Sequence, residues 1–172
     1  MSDPRLTLVL GGARSGKSAH AESLVSSMAG DPVYVATAEA YDAEMEARIA
    51  AHRGRRGEAW TTVEAPFDLV EAVLGAAGKP VLVDCLTLWL SNLLGADRDI
   101  AAETDRLIAA LRDAASPVVL VSNEVGLGIV PENALARTFR DLQGELNQAV
   151  AAAADRVVFV AASLPLVLKG GA

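Results

Sequence analysis

The stretch "GGARSGKS" (Gly11–Ser18) limits the fold of this chain more than any other. It follows a short apolar run, "LTLVL" (Leu6–Leu10), and opens a segment of good helix formers that extends from Lys17 to about Met28. The spacing is G-x-x-x-x-G-K-[ST], and its mechanism needs this strand-before, helix-after context. The glycines let the backbone curl so that its N–H groups converge on phosphate oxygens, and the helix N-terminus adds positive potential. Lys17 is placed to reach the β- and γ-phosphates, and Ser18 to ligate Mg²⁺. Gly11, Gly12, Ala13, Arg14, Ser15, Gly16, Lys17 and Ser18 therefore read as a nucleotide-binding P-loop.

Apolar runs and helical segments alternate along the rest of the chain. "VYVAT" (Val33–Thr37), "WTTVEA" (Trp60–Ala65), "VLVDC" (Val81–Cys85), "VVLVS" (Val118–Ser122) and "RVVFVAA" (Arg156–Ala162) read as strands. Helices are predicted from Asp42 to about His52, from Pro66 through Ala77, and from Ile100 to Ala114. A long helix is predicted to open at Pro131 and to run to about Ala154, with Gly144 a mild interruption. Leu86–Leu94 fits helix or extended chain, since periodicity does not separate them. The tail "LPLVLKGGA" suits an edge strand, because Pro165 argues against a central one. Continuous apolar strands alternating with helices imply a mostly parallel sheet covered on both faces. The expected fold is a three-layer α/β/α P-loop NTPase with an antiparallel edge strand at the C-terminus, a single domain over residues 1–172.

Composition narrows the function. A chain of 172 residues can bury roughly two-thirds of its unfolded surface in one domain. Its net charge of −7 repels nucleic acid and anionic membranes, so any anion site must be local. No basic segment followed by an apolar stretch opens the sequence, and the apolar runs near Val150–Ala154 and Val157–Ala162 are broken by Asp155 and Arg156. A single cysteine, Cys85, fits a reducing compartment and reads as a small buried neighbour of the strand end. The expectation is a soluble cytoplasmic protein, with no nucleic-acid partner and no membrane insertion.

A P-loop site usually takes a second carboxylate for its metal from the end of an apolar strand. Asp84, closing "VLVD", fits that role, and Glu124, after "VVLVSN", is a rival. Both lie at strand C-termini, which line the ligand crevice of open parallel sheets. A regulatory GTPase would place Asn-Lys-x-Asp after a later strand, where this chain has "SNEVG". A recombination-type ATPase core would be longer. A small-molecule kinase or a nucleotidyltransferase remains.

The segment "EARIAAHRGRRG" (Glu46–Gly57) holds one of the two histidines and four of the fifteen basic residues. Met45, Ile49 and His52 stand at i, i+4 and i+7, so His52 can be an inward-facing residue at a helix C-terminus. The arginines can equally be its solvated end. Alternatively, Arg53, Arg55 and Arg56 can wrap a polyphosphate with guanidinium forks. A neutral His52 beside them could attack an α-phosphorus while basic groups stabilise departing pyrophosphate. His20, two residues past Ser18, reads as structural.

These residues together resemble the bifunctional adenosylcobinamide kinase/adenosylcobinamide-phosphate guanylyltransferases of cobalamin biosynthesis. The likeness rests on "GGARSGKS", "YVATAEAYDAEMEARIAAHR" (Tyr34–Arg53), "VLVDCLTLWLSNLL" (Val81–Leu94) and "VSNEVGLGIVPENALARTFRDLQGELNQAVAAAAD" (Val121–Asp155). "NEVGLGIVPEN" and "EMEARIAAHR" are its most particular parts. The resemblance implies phosphorylation of adenosylcobinamide by a nucleoside triphosphate, GTP or ATP. It then implies transfer of GMP from GTP through a guanylylated His52. It also implies nucleotide contacts at Ala36, Thr37, Ala38, Arg53, Gly54, Arg55, Arg56, Glu64 and Asp84, with Mg²⁺ on Ser18 and Asp84. Lys17 and His52 would be the catalytic residues, and the assembly a homotrimer.

Overall fold

The computed structural model describes residues 4–38 and 59–171. The helix expected over Asp42–His52, with His52, Arg53, Gly54, Arg55 and Arg56, lies outside the described residues.

Among the described residues, seven strands form one sheet: β1 (Leu6–Gly11), β2 (Val33–Ala36), β3 (Thr61–Glu64), β4 (Val81–Asp84), β5 (Val118–Asn123), β6 (Arg156–Ala161) and β7 (Leu164–Lys169). Their order is β3-β2-β4-β5-β1-β6-β7, parallel throughout except for the antiparallel pair β6–β7. β7 is the edge strand expected of the tail, and Pro165 stands on it opposite Val160, where an edge tolerates a missing N–H donor.

The period-2 alternation of the strands divides the core. Leu6, Leu8, Val33, Val35, Val81, Val83, Val118 and Leu120 point to one face, and Val9, Tyr34, Leu82, Val119, Val121, Val158 and Val160 to the other. Helix α1 (Lys17–Ser26) covers the second face through Ala21 and Val25. On the first face lie α2 (Leu69–Leu74), α3 (Leu86–Gly95), α4 (Ile100–Asp113) and α5 (Ala134–Ala153). The outcome is a three-layer sandwich.

Two helix starts differ from expectation. The helix expected from Pro66 through Ala77 is shorter, Leu69–Leu74, because the chain around Pro66 and Phe67 is used otherwise. The carbonyls of Pro66 and Phe67 accept from Asn92 Nδ2 and Trp89 Nε1, both at 3.0 Å, so this segment docks on α3 instead of starting a helix. The long helix begins at Ala134 and not at Pro131, because the Asn133 side chain accepts from Ala136 N at 3.2 Å and supplies the cap. Leu86–Gly95 is a helix. Its periodicity is obscure in sequence because Leu86, Trp89, Leu90 and Leu93 enter one core while Leu88 packs against the other.

Candidate active site

The P-loop leaves β1 between two parallel neighbours. Gly11 pairs with Asn123 of β5 and Val160 of β6, so the loop rises from the middle of the sheet at the strands' C-terminal end. Arg14 and Gly16 have positive φ, 55° and 94°, and these two left-handed residues curl the chain. Ser15 N donates to Gly12 O at 3.3 Å, closing the turn. Helix α1 starts with no side-chain cap and no acidic residue in its first turn, so its first N–H groups carry no internal anion. The Ser15 hydroxyl is buried and finds no partner among the described residues.

Lys17 is 9% exposed and folds back, Nζ donating to Gly12 O at 3.0 Å. Burial pushes its ammonium below the usual lysine range, while Cys85 and Asp84 pull the other way. Lys17 and Asp84 therefore share one electrostatic site, although β5 stands between their strands.

The strand ends beside the loop are in register. Ala36 is opposite Glu64 on one side and Asp84 on the other, which places the two carboxylates about 10 Å apart at their Cα atoms, two strand spacings. Asp84 Oδ2 accepts from Tyr34 Oη at 3.0 Å. Thr37 is fully buried, its Oγ1 donating to Cys85 O at 2.7 Å and accepting from Cys85 N at 2.8 Å. What Thr37 gives the site is the position of the chain after β4, and Asn92 Nδ2 holds its carbonyl at 2.8 Å. The Asp84–Cys85 peptide is cis. Burial, then Asp84, pushes the Cys85 thiol up to about 11, so it is an inert neighbour as expected.

Glu124, the rival carboxylate, is committed to its own loop. It accepts from Gly126 N at 2.9 and 3.0 Å and from Leu127 N at 3.1 Å. Glu124 N donates to Gly11 O at 3.1 Å, so its backbone adjoins the loop while its carboxylate is engaged by Gly126 and Leu127, whereas the Asp84 carboxylate acts electrostatically on Lys17. No cluster of three or more His, Cys, Asp or Glu side chains exists among the described residues to cage a metal. One hydroxyl, Ser18, and one carboxylate, Asp84, are a hard-oxygen set suited to Mg²⁺, which keeps waters and takes phosphate oxygens as its other ligands.

The structure brings Gly11–Ser18, Ala36–Ala38, Glu64 and Asp84 to one end of one sheet. Sequence reasoning missed Tyr34 as the partner of Asp84, and Ser163, whose N–H donates to Ser15 O at 2.7 Å. The alternation in "VYVAT" put Tyr34 on one sheet face but gave no sign of the contact, and the sequence held no signal for Ser163.

Similarity to known proteins identifies the family. The family model for cobinamide kinase / cobinamide phosphate guanyltransferase (CobU) matches residues 7–168. The bifunctional adenosylcobalamin biosynthesis protein CobP of Pseudomonas aeruginosa is 47% identical over 167 residues, covering 95% of this chain and 96% of that relative. The Escherichia coli K12 protein named CobU is 43% identical over 182 residues, covering 95% and 99%. Among solved structures, an ATPase of a bacterial type III secretion system aligns with a TM-score of 0.54 at 14% identity, covering 91% of this chain and 51% of that one. A Pyrococcus horikoshii protein, PH0250, aligns with a TM-score of 0.53 at 11% identity, covering 95% and 85%. These two share the fold alone. With its phosphate loop, its strand-end carboxylate and a match that spans nearly its whole length, the chain belongs to the cobinamide kinase / cobinamide phosphate guanyltransferase family.

Proposed function

We propose that this protein phosphorylates the terminal hydroxyl of adenosylcobinamide with a nucleoside triphosphate, ATP or GTP. It then transfers GMP from GTP to the resulting phosphate through a guanylylated His52, giving adenosyl-GDP-cobinamide and pyrophosphate in late cobalamin biosynthesis. The observation that carries this reading is the curled loop Gly11–Ser18 with Lys17 and Asp84 in one electrostatic site, in a chain of this family.

In the kinase step the loop's N–H groups and Lys17 hold the β- and γ-phosphates, and Lys17 gives up its contact with Gly12 O to do so. Ser18 and Asp84 would hold Mg²⁺, which neutralises charge on the transferring phosphoryl group. Tyr34 keeps the Asp84 carboxylate oriented through Oδ2. Ala36, Thr37, Ala38 and Glu64, at neighbouring strand ends, form the adjoining wall for the nucleotide.

In the guanylyl step a neutral His52 nitrogen forms a bond to the α-phosphorus as the bond to pyrophosphate breaks. Arg53, Arg55 and Arg56, with Gly54 between them, take the leaving charge. A phosphate oxygen of the corrinoid then attacks the same phosphorus, the P–N bond breaks, and the imidazole is regenerated. Gly54 and Gly57 are the sequence's candidate hinges for bringing His52 to the nucleotide.

The substrates are small molecules and not nucleic acid, in keeping with the net charge of −7. No described helix is long and apolar enough to cross a membrane, which together with the buried free thiol supports a cytoplasmic enzyme. A homotrimer is what the family resemblance implies, and the large apolar side chains exposed on β7 and in the loop before α5, among them Leu164, Leu166, Ile129 and Leu127, leave surface for association of some kind.

Incubation with α-³²P-labelled GTP tests the reading. An acid-labile, alkali-stable label is expected on the wild-type protein and none on His52→Ala, which should still phosphorylate adenosylcobinamide. Kinase activity without any covalent label on the wild type would overturn the guanylyl step.

A further inference from the structure

The turn between β6 and β7 is built in an uncommon way. Ala161 pairs with Leu164, so the connection is the two residues Ala162 and Ser163, both with positive φ, 50° and 64°. Two-residue turns with two left-handed positions normally use Asn, Asp or Gly, because a Cβ is crowded there. Here an alanine and a serine adopt that conformation at the place where the hairpin meets the phosphate loop.

The meeting is close at both ends of the loop. A Cβ on Gly11 would lie 2.6 Å from Val160 O, and a Cβ on Gly16 would lie 2.5 Å from Ser163 Oγ and 3.0 Å from Ser163 Cα. Both glycines of the motif are therefore required partly by the hairpin and not only by the curl of the loop. Between these contacts, Ser163 N donates to Ser15 O at 2.7 Å.

That bond has a directional consequence. The Ser15–Gly16 peptide is planar and trans, so its C=O and its N–H point in opposite directions. Tying Ser15 O to the hairpin turns Gly16 N–H away from the hairpin, toward the inside of the curl where a phosphate is received.

We propose that the β6–β7 turn is a strut that aims the phosphate loop, with Ser163 a positioning residue for polyphosphate binding that acts through its backbone N–H and its contact with Gly16. This inference rests on the nucleotide-binding reading of Gly11–Ser18. It adds a part of the chain, more than 140 residues away from the motif by the numbering of Ser15 and Ser163, to phosphate recognition.

A glycine inserted between Ala162 and Ser163 moves the N–H off Ser15 O without touching the P-loop sequence. Calorimetric titration with inorganic tripolyphosphate and with GTP should show both affinities reduced by the same factor, about tenfold, the worth of one hydrogen bond to a charged group. Should the insertion fail to fold, Ser163→Val keeps the chain length, disfavours the positive φ and should weaken both probes. The melting temperature of each ligand-free variant reports the purely structural part. A variant that melts lower yet binds both probes with wild-type affinity overturns the strut. A wild type that binds neither overturns the nucleotide-binding reading itself, which separates the two failures.

Discussion

His20 faces an unfavourable environment for a charge. It lies in the first turns of α1 with Nε2 buried and without a partner among the described residues. Burial, and then the positive charge of Arg156, hold its imidazole below the usual histidine value. Because the folded pKa is depressed, the unfolded chain takes up the proton first as pH falls below about 6.5. Stability present above that pH is lost on acidification, down through the folded pKa. The melting temperature of the wild type should therefore fall more steeply between pH 7.5 and 5.5 than that of His20→Gln, which cannot titrate. Equal slopes would remove His20 from the account. A structural role for this residue was legible in the sequence from its place beyond Ser18. The orphaned nitrogen and the nearby Arg156 were not, since β6 meets α1 only in the fold.

At the scale of elements, the strands were the most legible parts. The strands read in "LTLVL", "VLVDC" and "VVLVS" are β1, β4 and β5, largely buried on both faces, although β4 ends at Asp84 and Cys85 is the N-cap residue of α3. Helix starts were less legible, because a cap competes locally with any nearby proline or polar residue. Asn133 and Asp99 cap α5 and α4 by accepting from Ala136 N and Ala102 N, at 3.2 and 3.1 Å. Asn133→Ala should cost about 1 kcal/mol of stability. For a domain of this size that lowers the melting temperature by about 2–4 °C. A helix that truly opened at Pro131 would leave the substitution neutral, so thermal unfolding of this one variant checks the corrected boundary. Helix α1 differs from both, since its start carries no side-chain cap. On the proposed reading, a phosphate of the bound nucleotide takes the place of that cap.

Across the whole molecule, the order of strands was the part hidden from sequence. The alternation of elements implied a parallel sheet, but nothing in it said that β5 lies between the P-loop strand and the Asp84 strand. That order leaves Asp84 level with Val9, both opposite Val121 of the intervening strand, and it is Tyr34 and Thr37 from β2 and its end that steady this corner. On the proposed reading, this acidic protein gathers its anion-binding groups at one sheet end. A nucleotide should therefore stabilise the entire fold by mass action through a single site. At a GTP concentration of about 100 times Kd the gain is about 2.7 kcal/mol, and about 2–4 °C per kcal/mol makes the expected rise in melting temperature about 5–11 °C. Lys17→Ala removes the ammonium that leaves Gly12 O for the phosphates, so its melting temperature should barely respond to GTP at that same concentration. Scanning both proteins with and without GTP checks this, and an undiminished shift in Lys17→Ala would place the nucleotide away from the phosphate loop.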